Sequence, residues 1–214
     1  MAHSFITSVY GQGTAEYTIK KSRFIATLQE IHDESEAAAC LERIRKQYWD
    51  ARHNCYAYQL GPGGSIQKSS DDGEPAGTAG RPILEILKKQ GITNTIAIVT
   101  RYFGGVKLGA SGLIRAYGHA VVLALEEAQI ADYIPHDVVT VCVPYSFVST
   151  VERLTSEQGL TVADRSFADT VTFTLHIPQE QTEAVKHSLI NATNGRAQIT
   201  DTDELCIPII RKRP

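Results

Sequence analysis

Residues 96–115 read IAIVTRYFGGVKLGASGLIR. The opening five, Ile96-Ala97-Ile98-Val99-Thr100, are apolar and β-branched, the composition of a buried strand. Beyond Gly109 an apolar segment of helical length extends to about Ala131. A strand therefore delivers Arg101 and Tyr102, four glycines (Gly104, Gly105, Gly109, Gly112) shape a turn, and a helix begins with Ser111 in its first turn. Glycine lets the backbone take positive φ and lets a partner approach closely. A helix start offers unpaired N–H groups and a partial positive charge. Between Ile86 and Leu125 there is no acidic residue, against five basic ones, Lys88, Lys89, Arg101, Lys107 and Arg115. The stretch reads as an anion-receiving surface, with phosphate the first candidate, or as a purely structural turn where strand and helix pack closely. It lacks the Gly-Lys-Ser/Thr triplet of a Walker loop and the G-x-G-x-x-G spacing of a dinucleotide fingerprint.

Working outward, Tyr17–Leu28 suggests a hairpin turning around Lys20–Arg23. Asp33 and Glu36 have capping-box spacing ahead of a helix over 37–48. Arg52–Leu60 reads as a strand and 61–80 as a polar, glycine-rich loop. Pro82 and Gly91 bracket a helix over 82–90. A polar, proline-containing hinge, Asp132–Asp137, marks a domain boundary. Beyond it the order is strand 138–143, helix 146–158, strand 160–165, strand 170–177, helix 179–193 and strand 196–209. That βαββαβ order is the ferredoxin-like pattern. The expected fold class is α+β in two domains, 1–134 and 135–214.

A chain of 214 residues, 43% hydrophobic and 21% charged, suits a globular protein with a real core. The net charge of −3 gives no global basic footprint, so any nucleic-acid contact must use a local patch. Residues 1–134 hold 14 basic and 14 acidic side chains, residues 135–214 hold 7 and 10. Cys40, Cys55, Cys142 and Cys206 form no C-x-x-C pair, which argues against a zinc ribbon or a redox motif. Cys40 and Cys142 sit among apolar neighbours and read as core residues. No signal-type start and no span of membrane length is present, so the cytoplasm is the expected location.

Three further stretches bear on chemistry. In Ser70–Pro82, Asp71, Asp72 and Glu74 suit Mg²⁺ or acid–base work. They equally suit turn capping and pairing with Arg52, Arg81 or Arg101, which is the preferred reading. His53 and Cys55 share one strand face, but a partly buried, hydrogen-bonded histidine is the simpler account. A Ser111–His53–Asp71 or Asp72 triad can be written down, without a nucleophile elbow to support it. Lys20, Lys21 and Arg23 beside Phe24, with Tyr102 and Phe103 near Arg101, interleave charge and aromatic planes as single-stranded nucleic acid requires. No catalytic residue, metal or cofactor is called for, and binding is favoured over catalysis.

The segments KKSRFIA (20–26), ARHNCYAY (51–58), SDDGEPAGTAGRP (70–82) and RYFGGVKLGASGLIRAY (101–117) together resemble the Impact family, whose bacterial members are the YigZ-like proteins. The resemblance implies an N-terminal domain like the second domain of a small-subunit ribosomal protein and domain IV of elongation factor G, a fold shared with GHMP kinases. It implies a C-terminal domain similar to a ferredoxin-like elongation-factor domain. Eukaryotic relatives regulate translation through the activator of an amino-acid-sensing kinase, but with a different accessory domain. The family brings no established catalytic residues. The expectation is a binding protein for RNA or a ribosome-associated partner with a role in translation. A binding surface of Lys20, Lys21, Arg23, Arg101, Tyr102, Gly104, Gly105, Lys107, Gly109, Ser111 and Arg115 is expected, supported by Arg52, His53, Asp71, Asp72 and Glu74. The alternatives are an enzyme acting on a phosphorylated small molecule and a protein–protein adaptor.

Overall fold

The structure is a computed structural model and describes residues 6–211. It is mixed α and β, and the chain divides into two compact units. The first unit runs to Tyr133 and regains the chain from Pro208, and the second is Ile134–Ile207.

In the first unit, β1 (Ile6–Val9) pairs with the opening residues of β7 (Ile130–Val143). A five-stranded sheet has the order β2-β3-β6-β4-β5, from β2 (Gln12–Ile19), β3 (Ser22–Glu30), β4 (His53–Leu60), β5 (Ile66–Ser70) and β6 (Thr95–Tyr102). Its described pairings are antiparallel. Alternation along β3 and β6 supplies both faces. Phe24, Ala26, Leu28, Ala97 and Val99 pack with α2 (Gly80–Lys89) and α3 (Ala110–Glu127). Ile96 and Ile98 pack with Ala37, Cys40, Leu41 and Ile44 of α1 (Glu34–Gln47). With helices on both faces, β6 is buried at every residue except its last, which explains its unbroken apolar run.

The expected capping spacing is realised: Asp33 accepts from the Glu36 amide at 2.8 Å, and Glu36 reaches back to the His32 amide at 2.7 Å. Three expectations need correction. The 61–80 stretch contains strand β5, whose polar residues cover a sheet edge and so carry no apolar alternation. The helix expected to about Ala131 ends at Glu127, and the apolar residues beyond belong to β7. The expected hinge 132–137 lies inside β7. Pro135, which has no amide hydrogen, stands between the residues paired with β1 (Ile130–Tyr133) and those paired with β9 (from His136).

In the second unit, β7 continues and is followed by α4 (Val148–Glu157), β8 (Thr161–Phe167), β9 (Val171–Pro178), α5 (Thr182–Ala192) and β10 (Gln198–Ile210). The strand order is β8-β9-β7-β10. Val139, Val141 and Val143 of β7 and Val171, Phe173, Leu175 and Ile177 of β9 are buried with Val151, Leu154, Val185 and Leu189 of the two helices. The intervening residues, Thr140, Cys142, Thr172, Thr174 and His176, are only half-buried. Cys142, expected in the core, is therefore on the sheet's other face, with its thiol 3.0 Å from the Thr170 hydroxyl. Among the described residues no helix is long and apolar enough to cross a membrane.

Candidate functional site

Antiparallel register gathers the motifs at one end of the first unit's sheet. Arg23 pairs with Tyr102 and His53 with Arg101, so β3 and β4 start where β6 ends. The helix α3 follows β6 and turns back along β2. Its last turn meets β2's beginning, where a Cβ on Gly13 would lie 3.0 Å from the Ala124 carbonyl oxygen. Its second turn meets β2's end, where the Tyr17 hydroxyl donates to the Ala116 carbonyl at 2.8 Å. The start of α3 therefore lies beside the Lys20–Lys21 turn that joins β2 to β3.

Arg101 does not face solvent. Its side chain is 7% exposed and donates from Nη1 to Glu74 Oε1 at 2.6 Å, with Glu74 4% exposed. The same carboxylate oxygen accepts the Tyr117 hydroxyl at 2.8 Å. Cys55 donates to the Tyr117 oxygen at 3.4 Å and to the Asp71 carbonyl at 2.9 Å. Burial pushes the Cys55 thiol up to about 12 and the Tyr117 phenol higher still, so both stay neutral. The guanidinium lies 5.4 Å from the Phe24 ring centroid and 5.6 Å from that of Phe103. The expectation that Arg101 belongs to an exposed anion surface is corrected: as an inward residue of a covered sheet it is turned into the core, and Glu74 neutralises it.

The other carboxylates of the 70–82 loop are engaged too. Asp71 accepts the amides of Gly77 (2.7 Å), Ala79 and Gly80 (both 2.9 Å), fastening the loop to the first turn of α2. Burial pushes the Asp71 carboxyl up, but these three amides outweigh it and hold it below the usual carboxylate range. Asp72 accepts the Asn54 amide at 2.7 Å and pairs with Arg45 at 3.2 Å. His53 Nδ1 is 2.8 Å from the Asp72 carbonyl and carries the proton of that bond. Ser111 makes no hydrogen bond among the described residues, so it forms no triad with His53. No cluster of metal-ligating side chains occurs among the described residues. The loop carboxylates serve caps and ion pairs, and the acid–base roles of the enzyme alternative find no free carboxylate here.

Among the described residues, the charged side chains left without a partner at this end are basic. Lys20 and Lys21 take the left-handed conformation, with φ of 45° and 65°, in a two-residue turn closed by the Ile19–Ser22 pair. The Gly104 backbone lies against this turn; a Cβ there would be 1.9 Å from the Lys21 carbonyl carbon. The Gly104 amide donates to Ser22 Oγ at 3.2 Å. Gly105 and Gly109 have positive φ and open space around them. Gly109 opens α3 without a side-chain cap, and no acidic residue lies in the helix's first turn. Lys107 and Arg115 are exposed, as is Arg52 at the entrance to β4. The side chains of Lys20, Lys21, Arg52, Lys107 and Arg115 have no ion-pair or hydrogen-bond partner among the described residues. Arg23 differs, since it pairs with Glu16 at 2.7 Å and lies 5.7 Å from the Tyr102 ring centroid.

Sequence reasoning passed over the segment Tyr48-Trp49-Asp50. The Ala51 amide donates to the Tyr48 carbonyl at 3.0 Å, which makes a tight turn after α1. Trp49 at its corner is 82% exposed. The Tyr102 hydroxyl donates to Asp50 at 2.8 Å, fixing this turn to the end of β6. The available signal was a lone tryptophan between a helix end and Arg52.

Comparison with known proteins gives the following. Residues 20–125 match the Impact N-terminal domain, and residues 141–196 match a domain of unknown function, DUF1949. The chain is 39% identical to the IMPACT family member YvyE of Bacillus subtilis (strain 168), over 94% of this chain and 92% of that protein. It is 34% identical to the IMPACT family member YigZ of Escherichia coli (strain K12), over 87% of this chain and 92% of that one. A crystal structure described as that of a hypothetical protein matches with a TM-score of 0.62 and 31% identity, covering 94% of this chain and 98% of the other. With such identity along nearly the whole length, and with the matched N-terminal domain holding both the buried Arg101–Glu74 pair and the basic turn, the chain belongs to the IMPACT family.

Proposed function

We propose that this chain is a non-catalytic RNA-binding protein that meets its RNA on or near the ribosome and acts there in translation. The observation that carries the reading is the set of exposed, unpaired cations, Lys20, Lys21, Lys107 and Arg115, around the glycine turn and the uncapped start of α3. Backbone N–H groups and free cations at one place suit phosphate. The net negative charge of the whole chain confines nucleic acid to this end. The resemblance of the first unit to ribosomal-protein and elongation-factor domains is part of the same proposal. So is a ferredoxin-like second unit, which its βαββαβ order and its β8-β9-β7-β10 arrangement support.

The test is anisotropy of a labelled single-stranded RNA over a salt series. Four phosphate contacts give a log–log slope of about −3, since each contributes roughly −0.7. The K107E/R115E variant should weaken binding and halve the slope. Binding unchanged in that variant, or no binding at low salt, overturns the proposal.

A further inference from the structure

Trp49 is the sole tryptophan of the chain, and its ring stands almost wholly in solvent. Burying such a ring is among the largest apolar gains available to a side chain, so leaving it exposed forgoes stability. Its mount is firm. The Tyr48–Ala51 turn presents it, and the Asp50–Tyr102 bond ties that turn to β6. Tyr102 lies beside Arg23, next in sequence to the Lys20–Lys21 turn and Ser22. Arg52, exposed and unpaired, follows three residues later. Phe103, just past the end of β6, is 53% exposed, and its neighbour Gly104 touches the same lysine turn. Two exposed aromatic residues thus stand at the end of the sheet that carries the free cations.

We propose that Trp49 is a stacking platform for an unpaired nucleobase, so that the nucleic acid taken at this end is single-stranded. The inference rests on the nucleic-acid reading above and adds the residue that selects an unpaired strand over a duplex. Charge complementarity supplies the argument. Phosphates of a single strand pair with Lys20, Lys21 and Arg52, while its splayed bases find the ring faces; a duplex keeps its base faces covered. A protein partner is the lesser candidate, because two of the free cations are lysines, which are depleted from the cores of protein interfaces.

Trp49 is the sole tryptophan, so emission excited at the red edge, where the nine tyrosines do not absorb, is its own, and two signals separate the two readings. Anisotropy of a labelled oligouridylate of about 12 nucleotides, within the site sizes single-strand binders cover, reports total binding. Intrinsic fluorescence reports the ring. The expected result is binding with strong quenching and little quenching by a duplex of the same length. W49A should bind about 5- to 100-fold more weakly and W49F should recover most of the loss, both folded by circular dichroism. Binding by anisotropy with no quenching, or with W49A unchanged, overturns the stacking role and leaves the basic interface standing. Equal quenching by duplex overturns the single-strand choice. No binding of either form overturns both readings and returns Trp49 to a protein partner.

Discussion

Arg101 and Glu74 meet at 2.6 Å with both side chains almost sealed from solvent, and Glu74 shares the contacting oxygen with the Tyr117 hydroxyl. The pair joins the 70–82 loop to the end of β6 across the core. Breaking one side of a buried pair leaves an uncompensated charge, so E74A should cost about 3–5 kcal/mol. Y117F, which removes a donor to that oxygen and the acceptor of the long Cys55 thiol bond, should cost about 1 kcal/mol. Urea melts of the two variants check this order. If E74A costs no more than Y117F, the ion pair does not hold the loop. Charge reversal at Arg101 acts first on the fold and is unsuited to reporting on a ligand.

Much of this architecture is readable from residue patterns, for stated reasons. The unbroken run Ile96–Thr100 marks a strand covered on both faces, and Asp33 with Glu36 marks a helix start. In the second unit, alternation at Val171–Pro178 marks a strand with one buried face. Strand β5 escapes notice because a short polar edge strand carries no apolar period. At the site, Lys20, Lys21, Lys107 and Arg115 are legible as cations, and spacing along the chain says nothing about their freedom. Arg101 belongs to the same motif and differs only in facing inward, toward a carboxylate 27 residues away. Trp49 is missed because a single aromatic has no period, and its exposure follows from a turn geometry that only the folded chain reveals.

Gly104 permits a close backbone approach. A Cβ there would fall 1.9 Å from the Lys21 carbonyl carbon and 2.1 Å from its oxygen, and neither is a flexible side-chain end. G104A should therefore force the 103–109 loop off the β2–β3 turn and cost about 1–3 kcal/mol, as overpacking does. G105A, at φ +84° with open space around it, should cost less, about 1 kcal/mol from backbone strain alone. Thermal melts of the two variants should rank them so. The reverse order would mean that the loop yields easily and that the close approach is unimportant.

Asp71 makes stability depend on acid. Its carboxyl titrates below the usual range because three backbone amides favour the charged form. A depressed folded value means that its contribution is fully present above the unfolded value of about 3.9 and is lost as pH falls through the folded one. D71N keeps one acceptor oxygen but loses the charge and the second acceptor. It should destabilise by about 1–2 kcal/mol near neutrality, the scale of a lost helix cap. The gap to the parent protein should narrow as pH falls below about 4. A constant gap from pH 7 to 3 would show that the ionised form of Asp71 is not what secures the loop.

The Lys20–Lys21 turn sets stability against binding. Both residues have positive φ in a two-residue hairpin, a conformation in which Asn-Gly is preferred and which costs a residue with a long side chain. Two lysines there give up local stability and place two free charges beside the Gly104 backbone. K20N/K21G should relax the turn and raise stability by about 1 kcal/mol, provided the hairpin register is unchanged. The same variant removes two of the four proposed phosphate contacts. Its salt slope for single-stranded RNA should fall in magnitude by about 1.4, from about −3 toward −1.5, with weaker binding at low salt. Melting temperature and salt-dependent anisotropy on one preparation test both halves. A stabler variant that binds RNA as before would make the lysines a dispensable feature of the turn. A variant that is less stable would show that the lysine side chains support the fold through contacts with their surroundings. Only a gain in stability joined to a loss of salt-dependent binding fits a turn kept strained for the charges it presents.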